Sequence, residues 1–148
     1  MTTRIAFTGH RHLTMAEVFP GLDLLLKEYG DSQIWITGGA IGLDSWAPKF
    51  AMDHSIELWL ILPFPSKVLA AKWPLSSPFR KILNGSWSYA SKVSVVSHRF
   101  VMSAYQERNV RMVDLSDILA AFFNGSPGGT ANCVRYARSI GHPVEMCL

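Results

Sequence analysis

The chain has 148 residues and a mass of 16.5 kDa, a length for one domain. With 49% hydrophobic and 17% charged residues it can bury a core, which excludes global disorder. The 14 Lys and Arg against 11 Asp and Glu leave a net charge of +3, a bias that suits an anionic small ligand and is too slight to argue for a duplex-DNA binder.

No apolar run approaches the roughly 18 residues of a membrane span, so no membrane partner is expected. The opening Met1-Thr2-Thr3-Arg4 runs straight into a strand-like segment without the basic and apolar stretches of a secretion signal. The two cysteines, Cys133 and Cys147, lack metal-ligand spacing. They read as buried, inert thiols of a reducing, cytoplasmic compartment. No metal or cofactor is expected.

Arg4–Thr8 reads as a buried strand ending in Gly9-His10-Arg11. Thr14 and Glu17 have the spacing of a capping box. Val18, Phe19, Leu22, Leu25, Leu26 and Tyr29 then mark one helix face, with Pro20 predicting that the main helix starts there and Gly30 that it stops. Gln33–Thr37 is a second strand, followed by Gly38-Gly39. Leu43, Trp46, Ala47, Phe50 and Ala51 make a second helical stripe, in which Pro48 predicts a late start or a kink. Glu57–Leu62 is a third strand.

The stretch Pro65–Trp87 is irregular and reads as a loop followed by a short helix, Phe79–Leu83, with Trp73 or Trp87 free to stack on a base. Lys92–Val96 is a short strand. Val101–Val113 reads as a helix with Val101, Met102, Tyr105, Met112 and Val113 inward. Asp117–Phe123 is a buried strand and Asn124–Gly129 a turn. Thr130–Ile140 is a helix with Cys133, Val134, Ala137 and Ile140 on one face, and Pro143–Cys147 a last strand.

Strands alternating with helices predict an α/β fold over residues 1–148, a single Rossmann-like domain of three layers with a mainly parallel sheet. Ligands bind such sheets where strand C-terminal ends meet helix N-termini. Three loops fall there, and they supply the candidate site. Gly128, Gly129 and Thr130 open a helix whose positive end and free N–H groups suit a phosphate; the other reading is a tight turn with a threonine cap. Gly38, Gly39 and Gly42 let a ligand lie over the backbone, but they miss the Gly-x-Gly-x-x-Gly dinucleotide pattern. Asp44 beyond them either meets ribose hydroxyls or complements the helix dipole. Gly9, His10 and Arg11 offer a proton donor and a phosphate clamp, or a solvated pair. Arg108 and Asn109 are a phosphate and base-edge pair, or a solvated helix face.

The stretches IAFTGHR (5–11), WITGGAIGLDSWA (35–47), RNVRMVDLSDILAAF (108–122) and GGTANCVRYARSIGHPV (128–144) together resemble the SLOG superfamily. That superfamily includes the YpsA- and YspA-like proteins, the LONELY GUY phosphoribohydrolases and the DNA-processing protein A family; the YpsA-like branch looks nearest. The resemblance implies a site for a nucleotide or nucleotide-derived ligand, built from Gly38, Gly39, Gly42, Asp44, Arg108, Asn109, Gly128, Gly129 and Thr130. Arg108, Met112, Ser116 and Asp117 match a stretch whose Arg is catalytic in the phosphoribohydrolases. Where those enzymes carry a catalytic Glu, this chain has Asn132, and an amide cannot serve as a carboxylate base.

The expected function is therefore binding of a nucleotide or nucleoside-monophosphate-like molecule by a sensor or accessory protein. The alternative is a nucleoside 5′-monophosphate N-glycosidase using Asp44 under the sugar and Arg108 or His10 toward the leaving base. A second alternative is single-stranded nucleic acid binding, which the small net charge argues against. Apolar helices on a small sheet permit a homodimer without demanding one.

Overall fold

The computed structural model describes residues 1–148. The chain alternates strands β1 (Thr3–Gly9), β2 (Gln33–Thr37), β3 (Glu57–Leu62), β4 (Lys92–Val95), β5 (Ile118–Phe122) and β6 (Val144–Met146) with helices. These are α1 (Met15–Tyr29), α2 (Leu43–Asp53), the single-turn α3 (Ser66–Leu69), α4 (Pro78–Tyr89), α5 (Ser103–Leu115) and α6 (Gly129–Ser139). The six strands form one sheet in the order β4-β3-β2-β1-β5-β6, with every pair parallel.

The period-2 alternation of each strand sorts its side chains between two cores. Ile5 and Phe7, Trp35, Leu58 and Leu60, and Ala120 and Phe122 face one side, where Val18, Leu22 and Leu25 of α1, Phe50 of α2 and Leu83 of α4 cover them. Ala6, Ile34 and Ile36, Ile61, and Leu119 and Ala121 face the other, under Met112 and Val113 of α5 and Cys133, Val134 and Ala137 of α6. Two apolar layers on a central sheet are the expected three-layer α/β fold.

Several element bounds differ from the sequence reading, through local capping or tertiary burial. α1 starts at Met15 rather than Pro20. The Thr14 hydroxyl accepts from the Glu17 N–H at 3.3 Å and the Glu17 carboxylate accepts from the Thr14 N–H at 3.0 Å, so the helix is nucleated before the proline. α2 likewise starts at Leu43 and runs through Pro48, held by buried Leu43, Ala47, Phe50 and Ala51. One missing N–H in each helix is outweighed by the face it buries.

α4 is longer than the predicted Phe79–Leu83. Ser77 caps it, Pro78 fills its first position, and it passes through Asn84-Gly85 because Leu83 and Ser86 are buried against the sheet. The Tyr89 hydroxyl then ties its end to the Ile56 carbonyl at 2.7 Å. α5 begins at Ser103, so Val101 and Met102 are not inward helical residues; Met102 is 70% exposed. Ile140 follows α6 and is also exposed. No helix is long and apolar enough to cross a membrane.

Candidate functional site

The chain leaves β1 for the β2 side of the sheet and returns to place β5 on the other side of β1. The connections after β1 and β5 therefore diverge, and a crevice opens between them. A cavity of about 550 Å³ occupies this place. Its floor is the end of β1, one wall is the first turn of α6, and the wall beside it is α5.

The α6 wall is an open helix end. Gly128 stands at its cap with no side chain to offer, and the first helical bond runs from the Asn132 N–H to the Gly128 carbonyl at 3.0 Å. The N–H groups of the preceding turn are thus without helix partners, next to a buried Thr130. Pro127, Gly128, Gly129 and Thr130 all line the cavity. Asn132 lines it too, with its side-chain oxygen accepting from Arg135 at 2.9 Å.

The α5 wall carries Arg108, only 8% exposed. Its Nη1 donates to the Gly38 carbonyl at 2.7 Å and its Nε to the Asn109 side-chain oxygen at 3.0 Å. Two of its donor positions are fixed, and Nη2 is left for the cleft. Gly38 lets this happen, because a Cβ there would stand 2.8 Å from Arg108 Cδ. Asn109 also donates to Gln106 at 3.2 Å and to the Gly129 carbonyl at 3.4 Å, which fastens α5 to the start of α6. With both ends of its amide engaged, Asn109 orients Arg108 and joins the walls. Burial lowers the Arg108 pKa and the nearby Asp44 opposes this; a guanidinium stays cationic regardless.

Asp44 lies in the first turn of α2 and is 9% exposed. Its Oδ2 accepts one long bond, 3.4 Å from the Ala40 N–H, and its Oδ1 has no partner. Neither Arg108 nor Arg11 reaches it as an ion pair. Burial pushes its carboxyl above the ordinary range, against the pull of the Arg108 charge, the Ala40 bond and the Arg11 charge. The α2 turn is set by Gly42, whose φ of 76° and close approach to the His10 and Arg11 carbonyls exclude a side chain.

From the β1 loop, His10 Nε2 accepts from the Asn124 N–H at 3.0 Å, so a neutral ring carries its proton on Nδ1. Burial and the neighbouring His12, stacked at 5.4 Å, lower its pKa. This ring bridges the two diverging loops. Arg11 is exposed, makes no hydrogen bond within the protein and lines the cavity.

Of the residues expected at the site, Gly9, His10, Arg11, Asp44, Arg108, Asn109, Gly128, Gly129 and Thr130 come together around this cavity. Gly38, Gly39 and Gly42 do not line it. Gly38 abuts Arg108, Gly39 abuts Leu62, and Gly42 abuts the β1 loop, so they shape the site from behind. Ser116 and Asp117 of the Arg108 motif also lie elsewhere: the Asp117 carboxylate accepts from the Arg4 N–H at 2.8 Å and binds β5 to β1. Trp87 is away from the cavity. Both thiols are poor nucleophiles, Cys133 pushed up to about 11 and Cys147 to about 12 by burial. No group of three or more His, Cys, Asp or Glu side chains is placed to hold a metal.

Sequence reasoning missed Met102, Tyr105, Gln106 and Asn132 as cavity residues. The signal for the first three was present. Residues 102, 105, 106 and 109 have helix-face spacing, but of these only Asn109 stood out as a site residue, because Met102 and Tyr105 read as inward and Gln106 carried no signal of its own.

No family model matches the chain. An uncharacterized SPbeta prophage-derived protein of Bacillus subtilis, YoqJ, is 26% identical over 137 residues, covering 82% of this chain and 79% of that protein. Among solved structures, DNA processing protein A from Helicobacter pylori, described for its single-stranded DNA binding mode, superposes with a TM-score of 0.73 at 16% identity. It covers 97% of this chain, which spans only 64% of that larger protein. The molybdenum cofactor binding protein of Rippkaea orientalis superposes with a TM-score of 0.64 at 21% identity, over 99% of this chain and 76% of that one. At these identities the likeness is one of fold, and the fold is the one that the SLOG resemblance implied.

Proposed function

We propose that the cleft binds a nucleotide or nucleotide-derived small molecule, as a sensor or accessory protein does, with the phosphate on the open end of α6. The observation that carries this reading is the pairing of an uncapped helix N-terminus with an unpartnered, buried Asp44 oxygen across one crevice. The helix end and the free edges of Arg108 and Arg11 suit an anion. The Asp44 oxygen suits a hydroxyl donor of a sugar. A sugar phosphate satisfies both at once. A phosphate alone leaves Asp44 unpaired, and a neutral sugar leaves the helix end empty. The Rippkaea protein, which has this fold, binds a small cofactor.

The N-glycosidase reading draws on the same carboxyl. Burial raises the Asp44 carboxyl, which favours its protonated form more than in an exposed carboxylate, the direction a proton donor needs. Asn132, at the place of the enzymes' Glu, lacks that chemistry. Single-stranded nucleic acid stays among the partners to test, since the Helicobacter protein of the same fold is described for binding it, against a net charge of only +3 and the lack of a basic cluster in the sequence.

Thermal-shift screening with nucleoside monophosphates and with oligonucleotides separates the three. A shift by a monophosphate recovered intact supports the sensor, and release of free base supports the glycosidase. A shift by oligonucleotides alone overturns both. Arg108→Ala is expected to weaken monophosphate binding about tenfold to a hundredfold, the range of a charged hydrogen bond, while circular dichroism shows the fold retained. Unfolding by Arg108→Ala instead makes Arg108 a structural residue.

A further inference from the structure

Beside the cleft lies a second cavity of about 280 Å³, and the two share Arg11, Ala40 and Tyr105 as a common wall. Its character is opposite. Ile41, Val68, Leu69, Trp73 and Phe100 make it apolar, and no carboxylate lines it. Its charges are Lys72 and the shared Arg11, and the Lys72 ammonium lies 5.9 Å from the centre of the Phe100 ring.

The walls are held in advance. The Arg80 guanidinium reaches from α4 to the segment after α3, donating to the Pro74 carbonyl at 3.0 Å, the Ala70 carbonyl at 2.7 Å and the Trp73 carbonyl. Those bonds fix the Lys72-Trp73 side. Opposite, Phe64 packs on Phe100 at 5.1 Å and edge-on to Tyr105 at 5.2 Å, which fixes the aromatic side.

We propose that this chamber takes the planar ring of the ligand whose anionic end sits on α6, and that it favours a ring bearing carbonyl acceptors over one presenting an amino donor. The inference rests on the anion-binding reading of the cleft and adds the ligand's class: an oxo-heterocycle joined to a phosphate. The apolar and aromatic lining removes ring faces from water. Lys72 and Arg11 carry only donors. A ring carbonyl meets them with an acceptor. An amino group in its place meets two cations and no anionic acceptor, so it gains less there than a carbonyl does. The chamber adjoins the cleft along Arg11, Ala40 and Tyr105, and the proposal lays one molecule across that border.

Calorimetric titration of the intact chain with inosine 5′-monophosphate, adenosine 5′-monophosphate and ribose 5-phosphate tests this. The first two differ by a carbonyl against an amino group, and the third lacks the ring. The inosine nucleotide is expected to bind at least about tenfold more tightly than ribose 5-phosphate, the scale of one stacked base. It is also expected to bind several-fold more tightly than the adenosine nucleotide. Val68→Trp, which fills the chamber, should bring the first ratio to about one. Lys72→Met, a change that removes only the charged end, should bring the second toward one even if Val68→Trp fails to fold. Equal binding of the inosine nucleotide and ribose 5-phosphate overturns the chamber and leaves the anion site standing. Equal or tighter binding of the adenosine nucleotide overturns the preference. No binding of any of the three overturns the anion site and the chamber together.

Discussion

A carboxylate that is nine-tenths buried and accepts one long hydrogen bond works against the fold that carries it. Burial raises the Asp44 carboxyl, so the folded chain holds that proton more tightly than the unfolded chain does. The group favours folding most fully below its unfolded pKa, and this contribution is lost as pH rises through the higher folded value. Asp44→Asn removes the loss. Its melting temperature at pH 7 is expected to exceed the parent's, with the gap closing below about pH 4, where the carboxyl is protonated in the unfolded chain as well. A lower melting temperature at pH 7 would show instead that the Asp44 charge steadies Arg108. Nine of the residues expected at the site line the cavity, because strand ends in an alternating α/β chain mark the ligand rim and their glycines, His10 and Arg11 stand there. Their division of labour was not legible. Gly38 serves Arg108 and not a ligand, and Asn109 joins two helices, because both roles depend on contacts across 70 and 20 residues of chain.

At the level of elements, α6 is the helix most open to change. Its first turn has no cap, and Gly129 has no neighbour within 4 Å of where a side chain would start. Gly129→Asp puts a fixed negative charge where the phosphate is proposed to sit. The helix dipole gains about 0.3–1 kcal/mol from it, so thermal melts should rise by about 1–3 °C. Calorimetry should meanwhile show nucleotide binding weakened by tenfold or more. A variant that gains stability and keeps full affinity would move the anion elsewhere. The same physics explains which elements the sequence disclosed. α1, α2 and α6 have apolar stripes strong enough to read. Their starts were displaced by Pro20 and Pro48, since local backbone rules weigh one lost hydrogen bond and cannot weigh the buried face that outlasts it. α4 was cut short at Asn84-Gly85 for a related reason. Its stability comes from Leu83, Ser86 and the Tyr89–Ile56 bond, which are features of docking and not of propensity.

For the whole molecule, alternating strands and helices announced a parallel sheet, but the strand order decides where function can sit, and no local pattern encodes it. That order places β1 between β2 and β5, so segments about a hundred residues apart share one crevice. A ligand bound there braces four separate stretches at once: Gly9–Arg11, Ala40–Asp44, Ser103–Asn109 and Gly128–Ala131. The sheet edges β4 and β6 and the outer helix α4 lie away from it. Amide hydrogen exchange reads this directly, because bound ligand slows opening only where it adds contacts. With saturating inosine 5′-monophosphate, exchange is expected to slow in all four stretches together and to stay unchanged in β6 and α4. The α6 amides should respond most, being the donors without helix partners. Protection confined to one stretch would mean that the crevice is not a single site. Uniform protection of the chain would mean that the nucleotide stabilises the fold as a whole without engaging this rim.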